Sequence, residues 1–136
     1  MSDFTPLTPQ WEAYRDQGLS LAARICGRDS LPPLEDLDAI YQWCLQQDFP
    51  EEGLEERPHV LAIGMGLGEH LARTHGMDWG LGHEGDHREV GLHHPPTGAK
   101  VWPMAMILRR LTERVDTTME GIIGGVVKAL DDLPRA

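Results

Sequence analysis

The chain has 136 residues, 40% hydrophobic and 25% charged, the composition of one globular domain (residues 1–136) with enough length for an ordinary core. The 22 acidic residues against 12 basic give a net charge of −10, which repels a phosphate backbone, argues against a nucleic-acid partner and favours a basic protein surface. No stretch approaches the roughly 18 unbroken apolar residues of a membrane span, and the first residues, through Pro6, carry neither the basic nor the apolar part of a secretory signal, so the expectation is a soluble, cytoplasmic protein with no membrane partner.

Thr8-Pro9 reads as a helix start, with Pro9 in the first turn where its missing N–H costs nothing. Trp11, Tyr14, Gly18, Leu21, Ala22 and Ile25 then recur at helical steps, and Gly27 ends the run. A second helix follows Ser30 to Pro33 on Leu34, Leu37, Ile40, Tyr41, Cys44 and Leu45, with Phe49-Pro50 closing the segment. Glu51 to Glu56 is a short acidic connection, and a third helix is predicted from Arg57-Pro58 to Thr74, capped by Gly76.

Beyond Gly76 the period changes from 3.6 to 2. Met77, Trp79, Leu81 and His83 alternate with Asp78, Gly80 and Gly82, Glu84-Gly85-Asp86 supplies a turn, and Arg88 to His93 returns. Pro95 to Gly98 turns the chain into a third short strand, Ala99 to Trp102. From Pro103 an apolar stripe runs through Ile107, Leu111, Val115, Met119, Ile122 and Val126 to Leu130, predicting one long helix over 103–131 whose latter half carries Gly121, Gly124 and Gly125. The expected fold is α+β: helices over 8–75, a three-stranded antiparallel meander over 77–102, and the long C-terminal helix packed on one sheet face.

Two stretches resemble enzyme motifs. Val60 to Gly68 looks like the strand and glycine turn of Rossmann-like methyltransferases, but the alternation of strands and helices that a doubly wound sheet needs does not follow it. The helical alternative puts Gly64 and Gly68 on one face for close packing, with Gly66 elsewhere. His83-Glu84-Gly85-Asp86-His87 matches His-Glu-X-X-His literally, yet that pattern places two imidazoles on one metal only within a helix, and Gly85-Asp86 is a turn. A divalent-metal site from His83, Asp86, His87 and His93 is the alternative such a hairpin leaves open.

Cys26 and Cys44 lie within helices, without a disulfide or knuckle spacing, and read as small apolar residues. Glu69 follows three glycines between Leu67 and Leu71, so its carboxylate needs a donor, for which the backbone or the Trp79 indole is a candidate. No Gly-X-Ser-X-Gly elbow and no phosphate-binding glycine loop occurs.

The sequence Gly64 to Glu69, the strand carrying Trp79, and Trp102-Pro103 opening a helix that contains Leu108-Arg109-Arg110 are together similar to a family of small bacterial domains of unknown function, over roughly residues 58–112. The resemblance implies a bacterial α+β domain and a shared structural role for Glu69 and Trp79, and it supplies no catalytic residues and no cofactor. The functional expectation is a noncatalytic, immunity- or antitoxin-like interaction module acting through an acidic surface on a basic protein partner, with self-association through the C-terminal helix open. The alternative is a divalent-metal-binding protein or metal-dependent hydrolase built on the histidine-rich hairpin.

Overall fold

A computed structural model describes residues 3–135, and its order is β1 (Phe4–Thr5), α1 (Pro9–Ile25), α2 (Leu34–Leu45), a 3₁₀ turn (Leu54–Glu56), α3 (Pro58–His75), β2 (Asp78–Glu84), β3 (His87–His94), β4 (Ala99–Val101), α4 (Pro103–Thr112) and α5 (Met119–Asp131). The fold is α+β, with five α-helices and one antiparallel sheet in the order β1-β2-β3-β4 among the described residues. No helix among them is long and apolar enough to cross a membrane.

The centre of the molecule is α3, which is buried without interruption from Val60 to Gly68. A helix enclosed on all sides needs small residues wherever a neighbour comes close, and each glycine meets a different one. A Cβ on Gly64 would lie 2.1 Å from Met104 Sδ of α4, one on Gly66 3.0 Å from the Leu37 methyls of α2, and one on Gly68 2.4 Å from the Trp79 ring of β2. Gly18 of α1 plays the same part toward Met65 of α3. The segment Val60–Ile63 is therefore helix, and the methyltransferase-like strand reading is overturned. Gly76 closes α3 in the left-handed conformation, φ 62°, which favours glycine.

The meander gains a strand. Phe4-Thr5 adds to the free edge of β2, with Phe4 opposite Gly82 and Thr5 opposite Leu81. Two residues are too short to show a period, which is why the sequence pattern misses them. On the inner face Leu81, Val90, Leu92 and Val101 are buried among the helices. On the outer face Gly80 pairs with Gly91, and Gly82 lies one step further along β2. Bare backbone there is covered by two rings: Phe4 lies on Gly80, and Trp102 on Gly82 and Gly91, their centroids 6.0 Å apart in an edge-to-face arrangement.

The expected long C-terminal helix is two helices. After Thr112 the chain makes a Schellman turn, Val115 N–H donating to Arg110 C=O at 2.9 Å and Arg114 N–H to Leu111 C=O at 3.1 Å, with Arg114 itself at φ 54°. An arginine in that conformation is held by α2: its guanidinium donates to Leu45 C=O, and Tyr41 Oη donates to Val115 C=O at 2.6 Å. The chain then restarts on Thr118, whose Oγ1 accepts from Gly121 N–H at 3.0 Å, while Asp38 Oδ1 of α2 accepts from Met119 N–H at 2.6 Å. Consequently α5 docks by its first turns against α2, and reaches the sheet side through Leu130, which joins Leu71, Met77, Leu92 and Val101 in an apolar cluster against which Ile123 and Val126 also pack. The second helix, α2, ends at Leu45, the last residue of its apolar pattern, and Phe49 folds back against Trp43 with ring centroids 6.0 Å apart.

Candidate functional site

Four elements that surround α3 leave a groove of about 610 Å³ between α1, the 3₁₀ turn, β3 and α4. Its floor is apolar: Leu61 and Met65 from α3, Val90 from β3, and Met104 and Leu108 one helical turn apart on α4. Trp11 and Tyr14, three residues apart on α1, form one wall, their rings edge to face with centroids 5.5 Å apart. Opposite them stands an acidic rim. Gly53, at φ 75°, turns the chain into the 3₁₀ segment, where buried Leu54 anchors the backbone and leaves Glu55 and Glu56 exposed at the mouth. Glu89 joins them from β3.

The electrostatics of the mouth register on Tyr14. Its phenol is pushed above the usual tyrosine range by burial first, and then by the carboxylates of Glu55 and Glu89. One cation, Arg88, lines the groove, but its Nη1 donates back to Gly85 C=O at 2.7 Å and His87 C=O at 3.0 Å, so the guanidinium is engaged at the hairpin tip. An apolar floor beside aromatic rings under a carboxylate rim suits a ligand that is both apolar and positively charged.

The histidine-rich hairpin is arranged differently from the sequence expectation. Gly85, at φ 57°, opens a two-residue turn, and the register sets His83 opposite Arg88 and His87 opposite Glu84. Because successive strand residues face opposite ways, His83 and His87 lie on opposite faces of the sheet and do not look at each other across the turn. His83 Nε2 is 2.7 Å from Thr5 Oγ1, Asp86 is exposed in the turn, and His87 Nε2 is 3.5 Å from Glu89 Oε1. His93 is six residues from His87, about 20 Å along the strand, with its ring 6.0 Å from Phe4. The four residues are not brought together, and among the described residues no three His, Cys, Asp or Glu side chains are placed to hold a metal ion. The helix that the His-Glu-X-X-His pattern requires is absent at this point in the chain.

Glu69 has the donor its position demands. Trp79 Nε1 donates to its Oε1 at 2.9 Å, and Arg73 Nε to its Oε2 at 2.9 Å, while the Arg15 guanidinium lies 5.9 Å from the Trp79 ring centroid. Both carboxylate oxygens are thus occupied within the fold, an arrangement that fixes the Trp79 ring against Gly68. Cys44 is buried and its thiol pushed up to about 11 by that burial, and Cys26, half-buried, is raised in the same way. Neither is poised as a thiolate at neutral pH.

A family model for a domain of unknown function (DUF3806) matches residues 36–122, well over half of the chain. The chain belongs to that family. No curated protein and no solved structure matches it. The DUF3806 region runs from α2 into the first turn of α5, so it contains α3 with its glycines, the Glu69–Trp79 pair, Trp102-Pro103 and every wall of the groove except α1. Sequence reasoning missed the groove residues, both those of the DUF3806 region and those of α1 outside it. Trp11 and Tyr14 read as one more core-facing stripe, and nothing in the spacing of Glu55, Glu89 and Leu108 shows that they meet. The available signal was the pair of carboxylates, Glu55-Glu56, directly after apolar Leu54 in a connection otherwise without a role.

Proposed function

We propose that the protein is a noncatalytic interaction module, and that the groove between α1 and α4 receives a positively charged segment of a protein partner, one apolar side chain seated on Met65 and Leu108 and flanking Lys or Arg residues facing Glu55, Glu56 and Glu89. The observation that carries this reading is the combination, in one groove, of an apolar floor with carboxylates close enough to Tyr14 to raise its pKa. The net charge of −10 acts in the same direction by steering basic partners toward the surface at long range.

The test uses fluorescein-labelled peptides in which Lys and Arg flank a single Leu or Phe, compared with Glu-substituted counterparts, by anisotropy. The basic peptide is expected to bind with a Kd that weakens several-fold between about 50 and about 300 mM salt, as exposed charge pairs are screened. The triple change Glu55→Gln, Glu56→Gln, Glu89→Gln removes three rim charges at about 0.2–1 kcal/mol each and should weaken binding by roughly 3- to 150-fold. Equal binding of acidic and basic peptides, or insensitivity to the triple change, sinks the proposal.

A further inference from the structure

On the far side of α4 a second groove, of about 410 Å³, runs between β4, α4 and α5, and its charge is the reverse of the first. The charged side chains that line it are Lys100, Arg109 and Arg110, in a protein with nearly twice as many acidic residues as basic. Its other wall is the last turns of α5, where Val126 and Leu130 are followed by Leu133, which at 44% exposure is a large apolar side chain left in solvent. Asp131 and Asp132 follow Leu130 at the end of α5, both exposed and outside the lining of the groove. Among the described residues neither aspartate has an ion pair, nor has Lys100 or Arg110, although Arg110 Nη1 donates to Met106 C=O at 3.1 Å, and Arg109 reaches only Glu113 of its own helix at 3.7 Å. Basic side chains thus line an apolar groove, and exposed acidic ones end the helix that walls it.

Such a patch is self-complementary. A two-fold axis brings the same surface of two copies together, so that a basic edge on one copy meets the acidic edge of the other twice over. We infer that a second copy of this chain occupies the groove: the α5 ends cross, Leu133 of each copy covers the apolar wall of the other, and Asp131 and Asp132 of each face Lys100, Arg109 and Arg110 of its partner. Net charge opposes association of two acidic chains, and this groove is the place where the local charge offsets it. The inference is independent of the peptide-binding proposal, because the two grooves lie on either side of α4.

Light scattering behind size exclusion at roughly 0.1 mM, where an interface of micromolar Kd is almost fully formed, should give twice the 15.2 kDa of one chain. Leu133→Glu should return the mass to that of one chain. A chain with the basic edge reversed (Lys100→Glu, Arg109→Glu, Arg110→Glu) and one with the acidic edge reversed (Asp131→Lys, Asp132→Lys) should each be monomeric alone and form a 1:1 heterodimer when mixed. Carbodiimide cross-linking of the unaltered protein should join Lys100 to Asp131 or Asp132 between chains, which serves even if the reversed chains fold poorly. A monomeric unaltered protein, a dimer indifferent to charge reversal, or cross-links confined to other surfaces would each overturn the inference.

Discussion

Gly68 lies where α3, β2 and the start of α4 converge, and replacing it with alanine tests the packing that defines this fold. The added methyl would sit 2.4 Å from Trp79 Cη2, 2.9 Å from Cζ2 and 3.0 Å from Pro103 Cγ. Neither a fused ring nor a proline can swing a flexible end aside, so the ring must move as a body. Moving it stretches the 2.9 Å hydrogen bond from Trp79 Nε1 to Glu69. Overpacking costs about 1–3 kcal/mol, and a weakened bond to a charged acceptor adds about 1–2 kcal/mol. The better helix propensity of alanine returns about 1 kcal/mol. Net destabilisation of about 1–4 kcal/mol is expected, read as a lower urea midpoint with unchanged slope. Gly124→Ala in α5 is the control: apart from its chain neighbours and the backbone of its own helix, nothing lies within 4 Å of the added methyl, so propensity alone acts and the protein should gain up to about 1 kcal/mol. If Gly68→Ala matches its control in sign and size, the close approach of Trp79 to α3 is not a constraint and the argument fails.

Three further outcomes follow from the same kind of reasoning. Gly91→Val places a branched side chain 2.4 Å from the Trp102 ring and 3.0 Å from Val101 C=O, so the ring must leave the sheet at a cost of about 1–3 kcal/mol; an unshifted tryptophan emission spectrum with unchanged stability would contradict this. Asp38→Ala removes the acceptor for Met119 N–H and should cost about 0.5–2 kcal/mol and speed amide exchange in the first turn of α5, whereas Asp38→Asn keeps an acceptor oxygen and most of the protection. For Cys44, burial raises the thiol from 9.0 to about 11. Since the folded state holds the proton more tightly than the unfolded one, this contribution is complete below about pH 9, and is lost as pH climbs to about 11, roughly 2–3 kcal/mol in all. The unfolding free energy of Cys44→Ala should therefore fall less steeply than that of the unaltered protein over that interval, and parallel slopes would refute the assignment.

Local chemistry was readable wherever a residue's role depends on its near neighbours in the chain. Pro9 and Pro58 open helices, Gly76 closes one, and the alternation around Trp79 and Leu81 marks a strand, because each is a matter of backbone angle or of a period within a few residues. The same local reading rejected the two enzyme-like motifs, since Gly85-Asp86 turns the chain and Val60 to Gly68 lacks the strands that must follow a cofactor loop. It also required a donor for Glu69, because a carboxylate flanked by apolar residues must be satisfied, and of the two it offered, backbone or Trp79 indole, the indole is the one found.

Tertiary structure decided the rest. The spacing of Leu111, Val115, Met119 and Ile122 is helical throughout, so period alone carried one helix across residues 113–118; only Tyr41, Leu45 and Asp38 of α2, some seventy to eighty residues earlier, stabilise the turn that divides it. Pairing of Phe4 with β2 and the placing of Trp102 over Gly82 and Gly91 likewise depend on contacts that no window of sequence contains. The groove is the extreme case: Tyr14, Glu55, Glu89 and Leu108 come from four elements, and their meeting is a property of how α1, α3 and α4 pack. Backbone angles and periods are written residue by residue, whereas convergence of distant side chains arises only once the core has fixed where each element lies.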